Sequence, residues 1–345
     1  MEQRRLGASD LVISRIGLGT WAIGGGDWVL GWGPQNVRQS IATIRRAVEL
    51  GINWIDTAAV FGLGHAETVI AKALRGIPQR ERPLIFARGS LVWDELGNVS
   101  HDLRGPSIRA QAEASLRRLG VDAIDLYQLG WPVWPSAVST DPGSIEEAWT
   151  TMADLQREGK IRFLGISRCG AEHLTPIQAI APVTSLTVPY SLLRREMEDR
   201  ARGACLTSGT GVIACSTLGS GLLTGAMTAS RAAALPYNDW RRRHPFFHEM
   251  ALTRASLYVE RLQKIAARHD CSAVAVAVAW ALRHPAVTAA VVGARRPEQV
   301  DEIVQAGTMQ LSSEDAAALV HERRRTAAAV DSGEMVAVNV SQRNK

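Results

Sequence analysis

A (β/α)8 barrel with an N-terminal hairpin and extra C-terminal helices is the fold this sequence predicts, on three observations. Short apolar runs alternate with amphipathic segments through most of the chain, the pattern of parallel strands joined by crossover helices. Gly51 closes one helical segment, and the run Ile52–Ile55 then delivers Asp56 to its carboxyl end before a glycine-containing loop restarts a helix. Chemistry in a barrel is mounted at such strand ends. Finally, no repeat of fixed period and no low-complexity linker divides the 345 residues, so residues 1–345 read as one barrel domain, with 330–345 a flexible tail.

Residues 3–13 read as a hairpin turning at Gly7-Ala8-Ser9-Asp10, a plug for the barrel floor. Ile16–Trp21 is the first barrel strand with its loop; Gly17-x-Gly-x-x-Ala22 only mimics a dinucleotide fingerprint, because more glycines follow where a helix should start. Asn36–Leu50 is helical by the period of Val37, Ile41, Ile44 and Val48, with Asn36 as its cap. Strand two is Ile52–Ile55 and its helix Glu67–Leu74; strand three is Leu84–Ala87 and its helix Ser107–Leu119. Strand four is Ala123–Gln128 with helix Ile145–Glu158, strand five Ile161–Ile166 with helix Ala171–Ile180, and strand six Ser185–Val188 with helix Glu196–Thr207. Gly211–Ala214 is strand seven, followed by an excursion from Thr217 to His248 and helices at Ala251–Arg268 and Ser272–Arg283. Val287–Val292 is strand eight and Pro297–Ala306 its helix; a last helix begins at Ser312.

The net charge of +5 is carried almost wholly by arginine, and no Lys/Arg run is long enough to argue for nucleic acid. Cys169, Cys205, Cys215 and Cys271 show no paired framework and no CxxC spacing, which argues against disulfides and structural zinc, and no metal is expected. There is no apolar leader and no run long enough to span a bilayer, so a soluble cytoplasmic protein acting on a small molecule is expected; oligomeric state is not indicated.

Several motifs together carry a resemblance: Gly17-Leu-Gly-Thr-Trp21, Asp56-Thr-Ala58, Arg117-Arg-Leu-Gly120 with Asp125-Leu-Tyr-Gln128, Arg157-Glu-Gly-Lys160 and Gly293-Ala-Arg-Arg-Pro-Glu-Gln299. The chain resembles the aldo-keto reductase family almost throughout, to about residue 310. That resemblance implies carbonyl reduction with NADPH by a tetrad of Asp, Tyr, Lys and His. Here the aspartate is Asp56, but the tyrosine position holds Phe61, the lysine position Arg88 and the histidine position Gly130. Arg88 can still pair with Asp56 but cannot relay a proton, and a paired Asp56 is expected to have a depressed pKa. Gly130 opens space where an imidazole stood. The nicotinamide-holding positions of the family correspond to Ser167, Arg168, Thr187 and Cys215; the pyrophosphate loop to Leu218-Gly-Ser220-Gly221-Leu-Leu223-Thr-Gly225; the adenosine 2′-phosphate clamp to Gly293, Arg295 and Arg296 with Gln299 and Glu302. Two readings of these loops stand side by side: retained NADP(H) binding, or persistence as barrel scaffolding.

Loss of three tetrad groups and of the nicotinamide clamp reads as reassignment. The expectation is therefore a non-redox enzyme (lyase, dehydratase, isomerase or cyclase) acting on a small aromatic or anionic metabolite in the old cup. Arg168 would bind a carboxylate, Cys215 would act as acid or nucleophile unless it is a small buried hydrophobe, and His65 lies on the same rim. Trp21, Trp93, Trp131 and Trp134 would wall the cup. The alternatives are an NADPH-dependent carbonyl reductase with a rebuilt proton donor, water or His65, and a non-catalytic NADP(H)-binding regulatory subunit.

Overall fold

The computed structural model describes residues 1–130, 142–168, 174–200 and 209–326. The proposed tail, Trp131, Trp134, Cys169 and Cys205 lie outside them. The N-terminal hairpin forms as expected: β1 (Gln3–Arg5) pairs antiparallel with β2 (Val12–Ser14), Arg4 opposite Ile13. The barrel strands are β3 (Ile16–Gly19), β4 (Trp54–Asp56), β5 (Leu84–Gly89), β8 (Ile124–Gly130), β9 (Ile161–Ser167), β10 (Ser185–Pro189), β11 (Gly211–Cys215) and β12 (Val287–Gly293). They close in chain order, β12 pairing with β3 through parallel register such as Val291 with Gly17. Between β5 and β8 lies a second hairpin, β6 (Leu91–Trp93) with β7 (Val99–His101), which alternation alone did not predict.

The outer helices are α1 (Val37–Glu49), α2 (His65–Leu74), α3 (Gly105–Leu119), α4 (Ile145–Arg157), α5 (Leu174–Gln178) and α6 (Met197–Arg200). The excursion after β11 contains α7 (Ala229–Ala233) and short 3-10 turns, and then come α8 (Glu249–Arg268), α9 (Ala273–Leu282), α10 (Pro297–Val304) and α11 (Ser313–Thr326). Asn36 does cap α1, its Oδ1 accepting from Gln39 N–H at 3.1 Å, and Ser144 and Ser272 cap α4 and α9 in the same way. The run Val274–Leu282 is apolar all round because every one of its residues is buried. Among the described residues no single helix is long and apolar enough to cross a membrane.

Strand alternation divides the barrel interior into layers. Below is an apolar layer: Trp54, Phe86, Leu126, Ile213 and Ala289 from the strands, closed underneath by Leu6, Leu11 and Ile13 of the hairpin. Trp54 and Phe86 have ring centroids 4.9 Å apart, and the buried Trp54 indole N–H donates to Ser14 O at 2.9 Å. Two residues further along the same strands, the inward positions turn polar: Asp56, Arg88, Gln128 and Cys215. The apolar plug thus sets the height at which the polar layer sits.

Gly17 owes its identity to this plug. A Cβ there would lie 2.1 Å from the Trp54 ring. Gly17→Ala is therefore expected to destabilise the barrel by about 3 kcal/mol through overpacking, measurable as a fall in the urea midpoint without a change in the m-value.

Candidate active site at the barrel mouth

Asp56, at the end of β4, is 5% exposed. Its carboxylate accepts from Arg88 Nη2 at 2.9 and 3.2 Å and from Gln128 Nε2 at 3.0 Å. Gln128 is oriented in turn by Thr187, whose hydroxyl donates to Gln128 Oε1 at 2.6 Å. The Asp56–Arg88 pairing agrees with the sequence, but the expected depression of Asp56 does not hold. Burial raises the Asp56 pKa, outweighing the opposing pull of Arg88 and Gln128, because desolvation penalises the carboxylate more than one guanidinium repays. Thr187, expected near the nicotinamide, spends its hydroxyl inside this network.

Phe61 is buried in an aromatic cluster. Its ring lies 6.2 Å from Trp21 in a stacked arrangement and 6.3 Å from Trp28. Trp21 stacks on its other side with Trp240 at 5.3 Å, and Trp32 closes the group edge-on. The Arg241 guanidinium sits 4.4 Å from the Trp32 ring centroid while pairing with Asp239 at 2.6 Å. The loop after β3 is thereby fastened to the excursion after β11. Trp93 is placed elsewhere, on β6, its ring carrying the Arg118 guanidinium at 5.8 Å. Arg118 also pairs with the buried Glu67 at 2.6 Å. His65 opens α2, half-buried, just after the Phe61 loop.

The expected opening at Gly130 is already taken. A Cβ at Gly130 would lie 2.9 Å from Ser90 Oγ and 3.5 Å from Arg88 Cδ. The hydroxyl of Ser90 stands over that position, and even a methyl group would crowd it.

Cys215 ends β11 beside Arg168. Burial raises the Cys215 thiol and lowers the Arg168 guanidinium, each effect opposed by the neighbouring group. Burial thus favours the protonated thiol over the thiolate, the nucleophilic form. Ser167 is 2% exposed, and Arg168 follows it with φ +60°, its N–H donating to Thr187 O at 2.8 Å.

In the glycine loop, Gly219, Ser220 and Gly221 all have positive φ (54°, 55° and 100°). Runs of this kind turn successive N–H groups toward one concavity and suit phosphate oxygens. Leu218 is half-buried, whereas Leu223 is fully buried and contributes its side chain to the core. Thr217, just upstream, has a buried hydroxyl with no partner among the described residues. These features fit a dinucleotide phosphate group.

Arg295 is less available than its motif suggests. It donates from Nε to Gln35 Oε1 at 2.6 Å, from Nη1 to Trp32 O at 3.1 Å, and from Nη2 to Pro34 O. Gln299 Oε1 accepts from the backbone N–H groups of Arg295 and Arg296, at 2.8 and 3.3 Å. Gly293, Arg296 and Glu302 are exposed at this corner.

The sequence model of the Aldo/keto reductase family matches residues 15–321, and the chain belongs to that family. It is 34% identical over 317 residues to an aldo-keto reductase (YhdN) of Bacillus subtilis, covering 91% of each chain. It is 33% identical over 326 residues to the NADH-specific methylglyoxal reductase of Escherichia coli, covering 92% of this chain and 96% of that one. The solved structure of a glycerol dehydrogenase from Gluconobacter oxydans superposes with a TM-score of 0.81 at 33% identity, over 94% of this chain and 95% of the other. These relatives are named as oxidoreductases. The expectation of a non-redox enzyme, drawn from the joint loss of tetrad and nicotinamide-holding groups, is overturned by them.

Sequence reasoning missed Ser90, the Gln128–Thr187 bond and His101. Gln128 could have been found, since it shares a strand face with Gly130; the others depend on the unforeseen hairpin. His101, on β7, is 2% exposed, and neither ring nitrogen has a partner among the described residues. Burial pushes its pKa down to about 4 from 6.5. The folded state therefore binds fewer protons than the unfolded one between those values, so stability is retained above pH 6.5 and lost as the pH falls toward 4. Replacing His101→Phe is expected to remove a loss on the order of 3 kcal/mol across that window, read from urea unfolding at pH 7 and pH 4.5.

Proposed function

We propose that this protein is a nicotinamide-dependent oxidoreductase that interconverts a small carbonyl compound and its alcohol, with Arg88 in place of the usual proton-relaying machinery. The observation that carries this reading is the intact ionic floor: Arg88 reaches Asp56 at 2.9 Å, so the layer that faces a reacting carbonyl keeps its charge pair despite the altered residues. The names of the relatives support the reaction class, and the left-handed run at Gly219–Gly221 supports a dinucleotide phosphate. A reduced nicotinamide, when bound, supplies hydride to the carbonyl carbon.

The chain's own residues do the rest. The Arg88 guanidinium is permanently charged and stabilises negative charge growing on the carbonyl oxygen. It releases no proton, and Phe61 has none, so water or His65 delivers the proton that completes the alcohol. Phe61 and Trp21 form an apolar wall, which excludes bulk water from the reacting carbon. Arg168 adds positive charge near the Arg88 end and favours substrates bearing an anionic or strongly polarised group. Of the two arginines in the Gly293–Gln299 motif, Arg296 is the exposed one, at the N-terminus of α10. It is the residue that would contact a 2′-phosphate, while Arg295 holds the loop it stands on.

Purified protein is expected to oxidise NADPH or NADH in the presence of methylglyoxal. Phe61→Tyr restores a phenolic donor and is expected to raise kcat, within the roughly 10²–10⁴-fold scale of general acid catalysis. Absence of nicotinamide oxidation with methylglyoxal and other small aldehydes, in wild type and in Phe61→Tyr alike, would reject the reading. Arg296→Glu is expected to weaken NADPH binding by about tenfold or more while sparing NADH, as measured by fluorescence titration of each nucleotide.

A further inference from the structure

Arg15 joins the hairpin plug to the first barrel strand, between β2 and β3, at the amino-terminal face of the barrel. Its backbone is fixed on both sides. The N–H donates to Glu2 O at 3.0 Å, and the carbonyl accepts from Ala290 N–H of β12 at 2.8 Å. The side chain is buried, the residue being 7% exposed. Its guanidinium donates through Nη2 to Leu282 O, the last carbonyl of α9, and approaches Glu2 Oε1 through Nη1 at 3.7 Å. A cation at a helix C-terminus is favourable, but the carbonyl is neutral and the carboxylate is too distant for a short hydrogen bond. Nε is buried without a partner among the described residues. Burial and the nearby Arg4 lower the Arg15 pKa, and Glu2 restores only part of it. A guanidinium does not give up its proton in response, so a buried charge is left incompletely compensated.

The same residue lines a cavity of about 290 Å³ beneath the seam where β12 meets β3. Three chain segments wall it: the hairpin, through Glu2, Arg4 and Arg15; the link from α9 to β12, through 282–285; and the link from α10 to α11, through 306–311. Arg4, Arg283, Thr308 and Gln310 are exposed, so the cavity opens to solvent on the face opposite Asp56 and Gly293. Arg4 gives Nε to Glu2 Oε1 at 2.8 Å, and Arg283 gives Nη2 to Ser313 Oγ at 3.2 Å. Their other guanidinium N–H groups make no hydrogen bond among the described residues. Three arginines therefore share one carboxylate, that of Glu2, around a single concave surface.

We propose that this floor cavity is a second binding site, separate from the barrel mouth, for a small polyanion bearing phosphate or carboxylate groups. Arg15 supplies fixed positive charge at the buried end, and Arg4 and Arg283 bind the ligand from the exposed rim. The Thr308 hydroxyl and Gln310 amide add neutral donors. Glu2 competes with the ligand for Arg4 and Arg15, so a ligand with more than one negative charge is favoured. No bond is made or broken there, and the site does not depend on the reductase reading. A bound anion bridges the hairpin, the link into β12 and the link into α11, and so stabilises the closed barrel.

The test uses the full chain and two probes, inorganic phosphate and citrate. Each is titrated calorimetrically at constant ionic strength, with chloride as the balancing anion, and Tm is measured alongside. Wild type is expected to bind at least one probe and to melt at a higher temperature in its presence. Arg4→Gln and Arg283→Gln, both at exposed positions, are each expected to weaken binding about tenfold while the unliganded Tm changes little. Glu2→Gln removes the competing carboxylate. It is expected to tighten binding about tenfold while lowering the unliganded Tm, a combination that an ion pair serving structure alone does not produce. Arg296→Glu reports on anions held at the mouth instead. Floor-dependent binding of both probes assigns the site to charge, of citrate alone to carboxylates, and of phosphate alone to phosphate groups. No binding of either probe by wild type, binding unaffected by all three floor substitutions, or binding lost only in Arg296→Glu overturns the proposal.

Discussion

The buried pair of Asp56 and Arg88 is the constraint around which the barrel mouth is arranged. A carboxylate placed on an apolar plug needs a partner, since an isolated charge there costs several kcal/mol. Arg88 supplies it from the neighbouring strand, Gln128 adds a second donor, and Thr187 fixes Gln128 from the second strand along, beyond β9. Each member is positioned by an apolar residue two places below on its own strand or by hydrogen bonding to the next member. The charge state of this layer is also locked on the basic side. A lysine at position 88 could titrate; a guanidinium does not.

The aromatic roof is the complement of that floor. Trp21, Trp32 and Trp240 join the loop after β3 to the excursion after β11, and Arg241 with Asp239 anchors the contact. Arg295 ties the same first loop to the start of α10. Residues that resemble cofactor contacts are therefore also the framework that shapes the mouth, and scaffolding and nucleotide binding are compatible roles for one loop.

The joint loss of three tetrad groups and the nicotinamide clamp pointed away from redox chemistry, and the named relatives point back to it. In the folded chain Arg88 and Gly130 are neighbours. Arg88 keeps the pair with Asp56, and the Ser90 hydroxyl on the adjacent strand end crowds the position that a side chain at Gly130 would take. A family whose named members are oxidoreductases at about one-third identity is consistent with such local rebuilding.

The order of the eight barrel strands, the hairpin plug, the Asn36 cap and the Asp56–Arg88 pairing were legible in the sequence. Periodicity, capping chemistry and adjacent strand ends are local or topological properties, and the residues alone carry them. Tertiary structure alone decided that Arg295 bonds Gln35, 260 residues away, that the Thr187 hydroxyl donates to Gln128, and that burial raises Asp56 instead of lowering it. It also decided the positive φ at Ser90, because the bonds that hold it come from Gln111 on α3 and Asp102 at the end of a hairpin with no periodic signal. Backbone handedness and desolvation depend on what surrounds a residue in space, and neighbours in the chain do not specify that.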